Sequence, residues 1–124
     1  MKADNDGITV DAVARIVHNA QRDLEYWLED PYPPPPYDAL PEELRFPVQS
    51  LVRLIVQGYC ADYVQDMWIA SMAAKDWKHG DVKDPHEKTH PCMVPFSSLP
   101  LWEKRRMHLA YDIVEGFARY MDLG

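Results

Sequence analysis

His86-Glu87-Lys88-Thr89-His90 spells H-E-x-x-H. In that arrangement two imidazoles one helical turn apart hold a zinc ion, and the glutamate beside them serves as general base. The chemistry therefore depends on a helix. Pro85 precedes the first histidine and Pro91 follows the second; a residue before proline is driven out of the α region, so His90 is not expected to close a turn with His86. Pro85 could open a helix, yet no apolar stripe follows to hold one against a core. The segment reads as a loop whose two histidines do not share a metal. Glu103, His108 and Glu115 lie downstream as candidate third ligands, which leaves a zinc-dependent hydrolase built on His86 and His90 as a minor alternative. No Gly-rich phosphate loop, Ser-His-Asp signature or internal repeat is read in the chain.

The charge around this loop is distinctive. The net charge is −7, but residues 1 to 74 carry five basic and twelve acidic side chains, whereas residues 75 to 108 carry seven basic and five acidic ones. A locally basic segment on an acidic body suits a small anion better than a polyanion, because duplex binding needs a broad basic footprint. Lys75, Lys78, Lys83 and Lys88 are alternatively plain solvated loop charges.

The elements that must position the loop read as helices. The chain has 124 residues, 47% of them hydrophobic, and four tryptophans, which describes one globular domain with a sizeable core. Residues 1 to 8 are expected to form a tail and residues 9 to 124 the domain. Val13, Ile16, Val17, Ala20, Leu24, Trp27 and Leu28 recur at helical spacing, with Thr9 or Asp11 as cap. Six prolines between Asp30 and Leu44 then impose a stiff extended strap. The spacing predicts helices near residues 9–29, 47–57, 61–76 and 100–121, the last capped by serine in Ser-Ser-Leu-Pro, with Pro100 in its first turn. All four should surround one core, burying Trp27, Leu51, Ile55, Met67, Ile69, Ile113 and Phe117, and no parallel sheet is expected. The loop from Trp77 to Phe96 is too long for a simple connection. Cys60 and Cys92 are expected as buried or inert thiols. MKADNDG lacks the apolar core of a signal peptide and no run is long enough to span a bilayer, so a cytoplasmic location is expected, with neither membrane nor nucleic acid as partner.

The order of motifs around the loop adds a resemblance. Trp68, Lys75, Trp77, His79, Gly80, Val82, Lys83 and Asp84, followed by Glu-Lys-Thr-His-Pro-Cys-Met-Val-Pro-Phe and Ser-Ser-Leu-Pro-Leu-Trp-Glu-Lys, resemble the ryanodine receptor repeat (RyR) domain in its stand-alone bacterial and phage form. His18, Asn19 and Arg22, then Pro33 to Pro36, are similar to that form's leading helix and proline strap. The likeness spans about residues 10 to 120. It departs where Asp76 replaces a glycine and His79 a tyrosine, and where the first motif reads His-Asn-Ala-Gln-Arg.

The resemblance implies a mainly α, single-domain bundle of about four helices, with a long loop or short β-hairpin between the last two. It also implies a non-enzymatic small-molecule-binding module for an anionic nucleotide-derived ligand of adenine nucleotide, ADP-ribose or cyclic nucleotide type, acting as sensor or sponge in phage and host conflict, without a cofactor. Beside it, the residues offer Trp68 or Trp77 for stacking on a base, and Lys83, Lys88 and Arg22 for phosphate. His18 and Arg22 share a helical face. His90 would brace the loop by bonding Asp84 or backbone. The expected ligand site is thus His18, Arg22, Trp68, Trp77, Lys83, Asp84, Lys88 and His90, and a homodimer would enclose a ligand between two such pockets. The alternative is a protein-interaction module using the strap and exposed aromatics, Tyr32 and Tyr37 among them.

Overall fold

The computed structural model describes residues 7–30 and 32–122. The first six residues of the expected tail, Pro31 of the strap and the last two residues lie outside them. Four helices run α1 (Val10–Trp27), α2 (Glu42–Val56), α3 (Ala61–Ala74) and α4 (Leu101–Phe117). The mainly α single domain is as the sequence predicts. Thr9 caps α1, its hydroxyl accepting from the Ala12 amide at 3.0 Å.

The core is narrower than expected. Val10, Val13, Ala14 and Val17 of α1 meet Tyr37, Leu40, Val52, Ile55, Ala110 and Val114, so α1, α2 and α4 enclose it. Leu51, Ile113 and Phe117 pack against this cluster half-buried. Helix α3 stands to one side, against the short 3-10 turn Phe96–Ser98, and Ile69 is half-buried there. Its apolar residues are spread around the helix rather than gathered in a stripe, which leaves Met67 exposed instead of buried. Trp27 is also exposed, at 79%, because it lies about 100° around α1 from the Val10–Val17 stripe.

Two helix boundaries lie four or five residues from the expected ones, and one cap differs. Helix α2 begins at Glu42, five residues before the predicted position, and carries Pro47 inside it. That proline removes one intrahelical donor, while Glu42 and Glu43 in the first turn complement the helix dipole. Helix α4 ends at Phe117; a 3-10 turn, Ala118–Tyr120, redirects the chain and places Met121 in a strand. No serine caps α4, since Ser97 and Ser98 belong to the preceding 3-10 turn and Pro100 is the N-cap.

A repeat unread in the sequence explains both lead-ins. Pro36-Tyr37-Asp38-Ala39-Leu40-Pro41 and Pro95-Phe96-Ser97-Ser98-Leu99-Pro100 share the pattern Pro-aromatic-x-x-Leu-Pro. Each makes a 3-10 turn, buries its leucine and leaves its second proline as N-cap. The hydrogen bonds repeat too: Ala39 to Pro36 and Leu40 to Tyr37 in one, Ser98 to Pro95 and Leu99 to Phe96 in the other.

Two short ladders close the structure. Strand β1 (Ile8–Thr9) pairs in parallel with β4 (Met121–Asp122), so Ile8, expected in the tail, is part of the fold. Strand β2 (Lys78–His79) pairs in parallel with β3 (Thr89–His90), where an antiparallel hairpin was one expectation. The loop manages this by doubling back: Asp84 bridges Thr89 antiparallel, and Lys88 adopts φ 57°. Each ladder is two residues long, so the layers remain helix on helix. Gly80 permits the close pass of β2, since a Cβ there would lie 2.6 Å from that of Thr89. No helix among the described residues is long and apolar enough to cross a membrane.

Candidate functional site

The polar face of α1 is spent on the strap. His18 Nε2 lies 2.8 Å from the Pro35 carbonyl, Arg22 Nε donates to the Pro34 carbonyl at 2.8 Å, and Asn19 Oδ1 accepts from the Tyr37 amide at 3.0 Å. One helix face thus reads three strap residues, Pro34, Pro35 and Tyr37, supplying backbone partners that the strap cannot find in secondary structure. Tyr37, expected to be exposed, is wholly buried at the end of this clamp. Its hydroxyl donates to Asp11 at 2.7 Å and accepts from Gln49 at 3.0 Å, and the guanidinium groups of Arg15 and Arg45 lie 5.5 and 5.4 Å from its ring centre. Desolvation raises the phenol's pKa.

The helix ends aim two further groups. In α1 the amides of Glu29 and Asp30 bond the carbonyls of Tyr26 and Glu25; in α3 the amides of Asp76 and Trp77 bond those of Ala73 and Met72. Both are Schellman terminations, with Glu29 (φ 59°) and Asp76 (φ 71°) in the left-handed position that glycine fills most easily. Gly58 plays that part for α2. The residue after each turn is thereby fixed: Asp30 at the end of α1, Trp77 at the start of the loop.

Those two residues bracket the centre of the site. Lys83 Nζ meets Asp30 Oδ2 at 3.0 Å and the Tyr32 carbonyl at 2.9 Å, tying loop to strap with side chains only 23% and 14% exposed. His90 lies edge-on to Trp68, ring centres 5.0 Å apart, with Trp77 at 6.3 Å. Desolvation, reinforced by the Lys83 charge, lowers the His90 pKa to about 4. The ring is neutral near pH 7, and its Nδ1 accepts from the Cys92 amide at 3.1 Å. The proton therefore resides on Nε2, which meets no acceptor among the described residues.

Behind His90 runs a chain of half-buried charge. The Cys92 thiol donates to Glu103 Oε2 at 2.8 Å, Arg106 Nε donates to Glu103 Oε1 at 2.9 Å, and Arg106 Nη1 lies 3.0 Å from Glu25 Oε1. Burial pushes the Cys92 thiol up to about 12, with the Glu103 carboxylate adding to the shift. Burial likewise raises the Glu25 pKa, against the pull of Arg106 and Lys83. Burial opposes the Arg106 charge, but Glu103 and Glu25 outweigh it and raise its pKa. Gln65 of α3 is buried and donates to the Cys92 and Val94 carbonyls at 2.8 and 2.9 Å, holding the loop against that helix.

Of the residues expected from sequence, Trp68, Trp77, Lys83 and His90 come together, while His18 and Arg22 stand on the strap's other support. Asp84 sits in the loop turn, where Oδ1 accepts from the His86 and Glu87 amides at 2.9 and 3.3 Å. Lys88 donates to the Lys75 carbonyl at 3.1 Å and is exposed. The H-E-x-x-H segment forms turns and a strand rather than a helix, with His86 exposed and His90 half-buried. Both cysteines are free thiols; Cys92 is buried, whereas Cys60 is exposed. Sequence reasoning missed Glu25, Asp30 and Arg106, and offered Glu103 only as a candidate zinc ligand. Only the i,i+3 spacing of Glu103 and Arg106 signals them locally.

A family model described as the RyR domain matches residues 32–118. The match begins at the strap and ends at the close of α4, so it contains the clamp's targets, both lead-ins and the loop. The chain belongs to the RyR domain family.

Proposed function

With that membership as premise, we propose that this RyR domain is a non-enzymatic binding module for a small anionic, nucleotide-derived ligand, of adenine nucleotide, ADP-ribose or cyclic nucleotide type, acting as sensor or sponge. The observation that carries the reading is the His90 ring against two indoles, with the charge of Lys83 acting on it. A nucleotide brings the complementary groups: a flat π face for Trp77, a hydrogen-bond acceptor for His90 Nε2, and a phosphate for Lys83. Asp30 holds Lys83, so phosphate binding exchanges one anion for another at the same ammonium.

The same groups are poorly suited to catalysis. A thiol with a pKa near 12 is protonated and weakly nucleophilic at pH 7, and an imidazole with a pKa near 4 is a poor proton carrier there. Both serve better as fixed donors. A thermal-shift screen against adenine nucleotides, ADP-ribose derivatives and cyclic nucleotides tests the reading, because a ligand at 100 times its dissociation constant adds about 2.7 kcal/mol of stability. A screen in which the whole panel leaves the melting temperature unmoved would count against it.

A further inference from the structure

The far end of α1 carries a second feature, of opposite electrostatic character. Tyr26 and Trp27 are 72% and 79% exposed and meet edge to face, ring centres 6.3 Å apart. An open cleft of about 560 Å3 lies against them, completed by Glu29, Asp30 and Pro33. Two indole- or phenol-bearing side chains in water at a helix end contribute nothing to this core, so packing does not explain them.

The surroundings select the occupant by charge. The last turn of α1 has no basic residue, and its carbonyl end carries the negative end of the helix dipole. Glu29 lines the cleft, and Asp23 lies one turn before Trp27 on the same helix face. Neither carboxylate makes an ion pair among the described residues. The ammonium of Lys83 is engaged by Asp30, and the guanidinium of Arg22, one turn before Tyr26, by the Pro34 carbonyl. Electron-rich ring faces flanked by unpaired carboxylates favour a cation, and a planar guanidinium can stack on an indole while its edge donates to a carboxylate.

We infer that Trp27, with Tyr26, Glu29 and Asp23, forms a docking site for an arginine-bearing segment of a partner protein. The site uses none of the proposed ligand-contacting groups around His90, although Asp30, the partner of Lys83, also borders the cleft. An arginine side chain lies on the Trp27 indole, its guanidinium facing Glu29, with Asp23 adding to the negative field. The strap, fixed by His18, Asn19 and Arg22, supplies a rigid wall at Pro33.

The peptide acetyl-Gly-Arg-Gly-Arg-Gly-amide, titrated into the full chain while the four indole N–H signals are followed by NMR, tests this. The Trp27 signal, assigned by its loss in Trp27→Ala, should shift saturably. Glu29→Gln should weaken the affinity roughly threefold or more, and added salt should weaken it further. Trp77→Ala should leave peptide binding unchanged, which separates this site from the nucleotide site. The inference is overturned if the shifts centre on another tryptophan, if Glu29→Gln binds as the parent does, or if a glutamate-for-arginine peptide binds equally. Arginine amide binding as tightly as the peptide would also overturn it, by assigning the cleft to a free small cation.

Discussion

Lys83 Nζ and Asp30 Oδ2 stand 3.0 Å apart although 53 residues separate them in the chain. The carboxylate is held in place twice over: by the Schellman turn that ends α1 and by the Tyr32 amide, which donates to Asp30 Oδ1 at 2.8 Å. If a ligand's phosphate must displace it, Asp30 is a built-in competitor. Asp30→Asn keeps the acceptor for Tyr32 and removes the charge, so it should tighten anion binding several-fold, measured by calorimetry with the tightest nucleotide of the panel.

Asp76 occupies a left-handed position, with φ 71°, the conformation that glycine adopts most easily. Asp76→Gly relieves that backbone cost and should raise unfolding stability by about 0.5–1 kcal/mol, read as a higher urea midpoint. The change leaves the Trp77 hydrogen bond to Met72 intact, so ligand affinity should stay as it was.

The two thiols should separate chemically. Iodoacetamide at pH 8 should label exposed Cys60 promptly and leave Cys92 unmodified until the protein is denatured, because the latter is buried, protonated and hydrogen-bonded to Glu103. Mass spectrometry of a peptide digest reads the difference, and equal labelling of both would contradict the Cys92 environment.

His90 gives stability a pH dependence of known sign. Its folded pKa, about 4, lies below the ordinary 6.5, so the unfolded chain takes up the proton first as pH falls. This contribution is complete above about pH 6.5 and is lost progressively toward pH 4. The urea midpoint should therefore drop between pH 7.5 and 5 in the parent and drop less in His90→Gln. Lys83→Ala removes a charge that disfavours the imidazolium and should raise the His90 pKa, visible in its ring-proton NMR titration.

The helices were legible because apolar periodicity is a local signal, and Thr9 because a capping hydroxyl is too. Helix α3 misled through composition: apolar residues without a stripe gave a helix but not a buried one. The proline-rich stretch was read as a breaker, which hid the Pro-aromatic-x-x-Leu-Pro lead-in and with it the true start of α2. Spacing put His18, Asn19 and Arg22 on one face, but not the backbone carbonyls and amide they bind, since those belong to strap geometry. The Glu25–Arg106 and Asp30–Lys83 pairs were invisible for a different reason: they join segments whose proximity exists only after folding.

Calorimetric titration of the parent and Lys83→Ala with adenine nucleotides, ADP-ribose and cyclic nucleotides at two salt concentrations is the most direct test of the binding account. At least one of these should bind the parent saturably, more weakly at higher salt, and Lys83→Ala should lose roughly tenfold or more in affinity and show a flatter salt dependence. If the panel fails to bind the parent, or binds Lys83→Ala as tightly as the parent, the assignment of this face to a nucleotide-derived anion is wrong.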